Sequence, residues 1–165
     1  MFENVDVQEA VKRSILVEKR ARDFYLLGAK HMQNERARRT FELLATEEEE
    51  HARWFYDVYR GTDIPDFDTL MASVTETDFD WLSSGERNLL EEIDERHALE
   101  LALNKAEKLE KALRDMADKV EDREVRAVFV RNADATHRHY ELMESEYAHL
   151  MGMVHETEID TYVRE

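Results

Sequence analysis

The segment that most constrains the fold is residues 41–59, FELLATEEEEHARWFYDVY, in which apolar side chains recur at helical spacing. Glu48 lies in the middle of this apolar stripe and His51 lies within it one turn later, whereas Glu47 is at its edge and Glu49 and Glu50 point to water. A carboxylate is costly to bury unless something pairs with it. Because residues at i and i+3 project from the same side of a helix, Glu48 and His51 can reach one cation. We therefore expect the core of this protein to hold metal.

The composition favours long helices and excludes several classes of site. The 165-residue chain has one proline, four glycines and no cysteine, so disulfides, thiolate ligands and iron–sulfur clusters are excluded. A net charge of −16 argues against nucleic acid and against an anionic membrane surface as partners. We see no secretory segment and no apolar run long enough to span a bilayer. The expectation is a cytoplasmic protein.

Helical periodicity predicts four long helices at residues 5–31, 35–59, 86–120 and 123–154. Asn34 is the predicted N-cap of the second helix. Residues 61–85 form a connection that packs on the bundle, with a short helix near residues 69–73. Its length is sufficient to cross the bundle, whereas the other links are short. We predict an all-α bundle of two antiparallel hairpins with one long crossover between helices 2 and 3, spanning residues 1–155, followed by a polar tail at 156–165.

Further acidic and histidine residues lie near the core faces of the other helices. Glu18 is within the apolar arc of the first helix, whereas Lys19 and Arg20 are outside it. On the third helix Glu110 falls inside the apolar arc and Glu107 at its edge. On the fourth helix the central position is Thr136, with His139 on one flank and His137 on the other.

An internal repeat relates the two predicted hairpins. Glu18 returns as Glu107 with one residue of slippage, but Glu48 corresponds to Thr136. Two hairpins related by a pseudo-twofold axis would bring Glu18, Glu48, His51, Glu107 and His139 together at the centre. The pairs that recur at one constant offset are Arg38 and Arg126, Phe41 and Phe129, Ala45 and Ala133, His51 and His139, and Tyr59 and Tyr147.

This pattern resembles the ferritin-like di-iron carboxylate proteins and, within them, the rubrerythrin-like group. That architecture takes one Glu from each of two helices and a Glu-x-x-His from each of the other two. The segment VEKRARDFY resembles its first-helix motif, and Glu48 with His51 matches its second-helix motif. The resemblance implies a ferritin-like four-helix bundle with six metal ligands: Glu18, Glu48, His51, Glu107, Glu110 and His139.

The resemblance also implies cofactors and partners. Two iron ions are expected, with manganese or zinc as possible substitutes, because carboxylates with one imidazole per metal suit these ions. A homodimer is expected, with Trp54 and Trp81 as candidates for its interface. The cysteine-rich electron-transfer domain of rubrerythrins is absent from this sequence, so a redox role requires an external electron donor protein.

The chain departs from the family pattern at Thr136, where a glutamate is expected. The second metal position is therefore weak, recruits His137 or Glu110, or is empty, and the sequence leaves these alternatives open. Three functions stay in play. They are a di-iron oxidoreductase that oxidises Fe(II) or reduces peroxide, a metal-binding or regulatory protein with little or no turnover, and a metal-free interaction bundle.

Each candidate ligand also has a purely structural interpretation. Glu48 and His51 can form a buried ion pair, and Glu110 can pair with Arg114 at i+4. His139 can be a hydrogen-bonded core histidine, and His137 is more typical of an exposed or structural residue. The metal interpretation depends on several such groups lying at matching places on separate helices.

Overall fold

The computed structural model describes residues 6–73 and 95–164, all of whose regular structure is helical. The helices are α1 (Val7–His31), α2 (Glu35–Val58), α3 (Phe67–Ala72), α4 (Glu95–Lys119) and α5 (Arg123–Arg164). We call α1 with α2 the first hairpin and α4 with α5 the second hairpin. Within these residues, no helix is long and apolar enough to cross a membrane.

These helices confirm the predicted all-α, ferritin-like bundle, with differences at some boundaries. The short helix α3 is present slightly earlier than predicted, at Phe67–Ala72. The last helix continues to Arg164 rather than ending near residue 154, so residues 156–164 are helical. The predicted starts at residues 5 and 86, most of the crossover and Trp81 lie outside the described residues.

Polar side chains start four of the helices by accepting hydrogen bonds from backbone N–H groups that have no partner within the helix. Asp6 accepts from the amide of Glu9, and Asn34, the predicted cap, accepts from that of Ala37. The remaining two are Asp66, which caps α3, and Asp122, which caps α5. The chain reversals are thus specified locally by residues between the apolar stripes.

The helices of each hairpin pack along each other, and α2 of the first hairpin also contacts α5 of the second. Gly28 marks a close approach of α1 to α2. A Cβ atom at Gly28 would lie 2.6 Å from the ring of Phe41, a fully buried side chain. Glycine is required here because the two helices leave no room for a side chain.

The core consists of two apolar clusters, one toward each end of the bundle. The first cluster contains Phe24, Tyr25, Phe41, Leu44, Ala98, Leu99, Ala102, Ala106 and Met143, among others. The second contains Val11, Ile15, Phe55, Leu113, Val125 and Phe129, among others. Along every long helix the chain passes from one cluster to the other, and Leu109 of α4 packs against both. The residues between the clusters form the candidate site.

One charged residue is buried against expectation. Lys19 was predicted outside the apolar arc of α1, but its side chain is fully buried. Its ammonium lies 2.8 Å from the carboxylate of Asp23, which keeps partial exposure. The long aliphatic stem can cover apolar surface while the charge reaches a partner one turn along the helix, which a helical wheel does not represent.

Candidate metal centre

Buried polar side chains from three of the described helices lie between the two apolar clusters, and we call five of them the polar layer. They are Glu18 on α1, Glu48 and His51 on α2, and Thr136 and His139 on α5. The i,i+3 spacing puts Glu48 with His51, and Thr136 with His139, on one face of their helices. Four of the six predicted ligands, namely Glu18, Glu48, His51 and His139, are therefore in this layer.

The polar layer brings two imidazoles and a carboxylate to one point. The Oε1 atom of Glu48 lies 2.8 Å from Nδ1 of His139 and 3.5 Å from Nδ1 of His51. The ligand atoms of these three residues all lie within 4.8 Å of one another. Glu18 is next to them, with its Oε2 atom 3.9 Å from Nδ1 of His51. One ion can reach donor atoms from both hairpins at this place.

Most of the polar atoms that face this point have no hydrogen-bond partner among the described residues. They are both oxygens of Glu18, Oε2 of Glu48, Nδ1 of His51, Nδ1 of His139 and Oγ1 of Thr136. Buried polar groups are normally hydrogen-bonded, so a cluster of unpaired ones requires an explanation. A cation that accepts lone pairs from these atoms supplies one, and the nitrogen and oxygen donors fit Fe(II), Mn(II) or Zn(II).

The pKa values of the two carboxyls diverge because they share a buried site. Burial raises the pKa of Glu18 well above its ordinary value, and the negative charge of Glu48 raises it further. Burial acts to raise the pKa of Glu48 as well, but the neighbouring Glu18 carboxyl and the imidazoles of His51 and His139 outweigh it and lower that pKa. Two carboxyls with pKa values displaced in opposite directions are typical of functional sites.

Glu47 fixes the orientation of His139. Its Oε1 atom lies 2.6 Å from Nε2 of His139, and a carboxylate can only accept, so Nε2–H is the donor. The tautomer that this bond selects leaves the lone pair on Nδ1, the nitrogen that faces Glu48. Sequence analysis placed Glu47 at the edge of the α2 stripe and gave it no role. The only feature of the sequence that could have predicted this bond is a carboxylate at the edge of the α2 stripe, beside a helix that carries a histidine.

A polar recess of about 350 Å³ connects the polar layer with the surface. His51 forms part of its wall, and its ring lies 4.8 Å from that of Trp54 and 5.0 Å from that of His139. The guanidinium of Arg131 covers Trp54 at 3.7 Å from the ring centre. The remaining lining residues are Glu47, Glu50, Ala135 and Arg138. A small polar molecule can approach His51 through this opening.

The structure does not bring the two predicted ligands of α4 into the polar layer. Glu107 is exposed. Glu110 is partly buried, and its oxygens lie 2.8 Å from Nε of Arg114 and 2.9 Å from Nδ1 of His137. The Glu110–Arg114 pair expected under the structural interpretation is thus confirmed, and His137 is exposed as expected.

The physical reason is that α4 faces the layer with an apolar residue. Leu109 packs against both apolar clusters, and a leucine gains more from that position than a carboxylate, which would need a partner. Beside it is a cavity of about 160 Å³, walled mainly by apolar residues, that Glu18 also lines. The other lining residues are Ala10, Arg13, Ser14, Val17, Leu109, Ala112, Leu113, Met116 and Phe129.

Comparison with known proteins identifies one family. A family model described as Rubrerythrin matches residues 9–147, a range that takes in most of the four long helices and the whole polar layer. No curated protein and no solved structure matched the chain.

Proposed function

Because the chain belongs to the rubrerythrin family, we propose that it binds iron in the polar layer and uses it to oxidise Fe(II) or to reduce peroxide. The observation that carries this proposal is the convergence of unpaired, buried donor atoms from both hairpins on one point. A merely structural set of buried polar groups would be paired within the protein.

In this proposal each residue has a defined task. Nδ1 of His51, Nδ1 of His139 and Oε1 of Glu48 hold the metal, and Glu18 is the adjacent carboxylate. Glu47 keeps the His139 ring in place through Nε2. The iron supplies one-electron chemistry toward oxygen or peroxide when it is bound.

The surroundings of the site agree with a redox role. The polar recess at His51 gives a small oxidant access to the layer, and apolar clusters pack against the layer toward both ends of the bundle. Electrons for peroxide reduction come from an external donor protein in this proposal, because the sequence has no cysteine for an electron-transfer centre. The predicted homodimer stays a prediction.

A second candidate function is metal binding without turnover. The observation that favours it is Thr136, which the repeat places where the first hairpin has Glu48. A neutral hydroxyl is a weaker ligand than a carboxylate for a hard cation, and a site with fewer carboxylates stabilises the oxidised metal less.

Elemental analysis of protein purified from iron-supplied cells tests the proposal. We expect iron in the wild type and near-complete loss in Glu48→Ala and His51→Ala, because each change removes a donor that faces the ion. Glu42→Ala is the matched control, since Glu42 is exposed on the same helix and does not line the polar recess. Iron that survives both substitutions would contradict the proposed site. Peroxide consumption with an added reductant then distinguishes the enzyme from the metal-binding protein.

A further inference from the structure

The polar layer contains fewer carboxylates than a two-metal centre of this architecture requires. The ferritin-like ligand set takes four carboxylates, one from each of two helices and one from each Glu-x-x-His motif. Among the described residues, the layer has two, Glu18 and Glu48, and both belong to the first hairpin. The described part of the second hairpin contributes one imidazole, His139, and no carboxylate.

Neutral groups stand at the places where the second hairpin would supply its carboxylates. Thr136 is buried one turn before His139, as Glu48 is before His51, and its hydroxyl has no partner. On α4, Leu109 spans the two apolar clusters at the level of the layer, while Glu107 is exposed and Glu110 is held by Arg114 and His137.

Charge balance then decides how many ions fit. Two divalent ions bring four positive charges, which four ionised carboxylates neutralise. Glu18 and Glu48 supply two negative charges, so a pair of ions would leave two positive charges in a buried, largely apolar environment. An uncompensated buried charge is strongly destabilising. One divalent ion with both carboxylates ionised is neutral.

The space beside Glu18 supports the same conclusion. The cavity that Glu18 lines toward α4 is walled mainly by apolar side chains such as Leu109, Leu113 and Phe129, and its one other charged residue, Arg13, is a cation. Apart from Glu18 itself, the described residues of this wall include no carboxylate and no imidazole that could ligate a second ion.

We propose that the polar layer holds a single metal ion, bound by Glu48, His51 and His139 with Glu18 beside it, and that Leu109 and Thr136 have replaced the second metal position. This inference rests on the proposed function. Two histidines and one carboxylate with open positions are the donor set of mononuclear non-haem Fe(II) sites. The second ion of the sequence-based expectation is absent in this proposal.

Iron stoichiometry tests the proposal without an activity assay. Metal-free protein is loaded with excess Fe(II) under anaerobic conditions and desalted, and iron per chain is measured by elemental analysis. The sample is then oxidised and examined by electron paramagnetic resonance. We expect one iron per chain and the signal of isolated high-spin Fe(III), since an exchange-coupled Fe(III) pair gives no such signal. Two irons per chain with the signal absent would overturn the inference while leaving the proposed function intact.

Thr136→Glu restores a carboxylate at the position that corresponds to Glu48. Thr136→Gln is the neutral control of similar size. We expect iron per chain to rise above the wild-type value in Thr136→Glu and to stay at it in Thr136→Gln. No rise in Thr136→Glu, with helicity unchanged by circular dichroism, contradicts the assignment of Thr136. A wild type that takes up no iron, or keeps it in Glu48→Ala, overturns the proposed function itself.

Discussion

The two hairpins share a scaffold but differ in what they contribute to the polar layer. Phe41 and Phe129 are both buried at matching places, and the rings of His51 and His139 stack against each other. The first hairpin adds two buried carboxylates to the layer, whereas no described acidic residue of the second hairpin lies in it, and the buried Glu146 is paired with an arginine of α2. The packing positions and the histidine therefore recur in both hairpins, while the buried carboxylates do not. The repeated apolar pattern specifies the fold, whereas the metal-binding properties depend on individual polar residues that the repeat does not preserve.

The difference between the hairpins is tested most directly by neutralising their equivalent glutamates, Glu18 and Glu107, one at a time. We expect Glu18→Gln to weaken Fe(II) binding at least about a hundredfold. Even the loss of a group that only hydrogen-bonds to a metal ligand lowers metal affinity about 10–100-fold. Glu107→Gln should leave affinity unchanged because Glu107 is exposed. Competition with a chromophoric chelator measures both. Equal losses in the two variants would mean that the second hairpin does supply a carboxylate.

Sequence reasoning was most reliable where one helix face could be read without its neighbours. It identified four of the five residues of the polar layer as candidate ligands and noted the fifth, Thr136, as the departure. It was less reliable on α4, where Glu107 and Glu110 lie close to the core arc on a helical wheel. Their placement depends on which residue of α4 meets the other three helices, and Leu109 takes that position.

Two other features could not be predicted from the sequence because they depend on individual contacts between side chains. The bond from His139 to Glu47 joins residues 92 positions apart, and periodicity within either helix does not contain it. The buried Lys19 is compatible with the core only because Asp23 lies within reach one turn later. The ligand roles themselves stay predictions until metal is measured.

A second comparison concerns how closely each hairpin is packed at its glycines. We expect Gly28→Ala to destabilise the protein by about 2 kcal/mol, because the new methyl group would lie 2.6 Å from a ring that has no free space. Gly152→Ala on α5 meets nothing within 4 Å, and alanine should stabilise a helix interior by about 0.5–1 kcal/mol. Urea unfolding of the metal-free proteins measures both changes. Similar shifts of the same sign would show that the close approach at Gly28 is not a constraint.

A third comparison concerns a pH dependence of stability that originates in the first hairpin. Burial and the charge of Glu48 raise the pKa of Glu18 above the ordinary value of 4.5, so the folded protein binds this proton more tightly than the unfolded chain does. The stability that Glu18 contributes is therefore complete below about pH 4.5 and is lost as the pH rises toward its folded-state pKa. One proton limits the slope to about 1.4 kcal/mol per pH unit.

Urea unfolding of chelator-treated protein between about pH 5 and pH 8 measures this slope. His139 acts in the same direction at higher pH, because burial lowers its pKa but the neighbouring carboxylates of Glu48 and Glu47 outweigh burial and raise that pKa above 6.5. Glu18→Gln removes the carboxyl and leaves the histidine, so the variant should lose stability less steeply than the wild type, mainly in the lower half of this range. Identical slopes in the two proteins would show that Glu18 is ionised without a metal. In that case the buried Glu18 carboxylate would not itself require a cation, and the argument for a bound metal would rest on Glu48 and the two imidazoles alone.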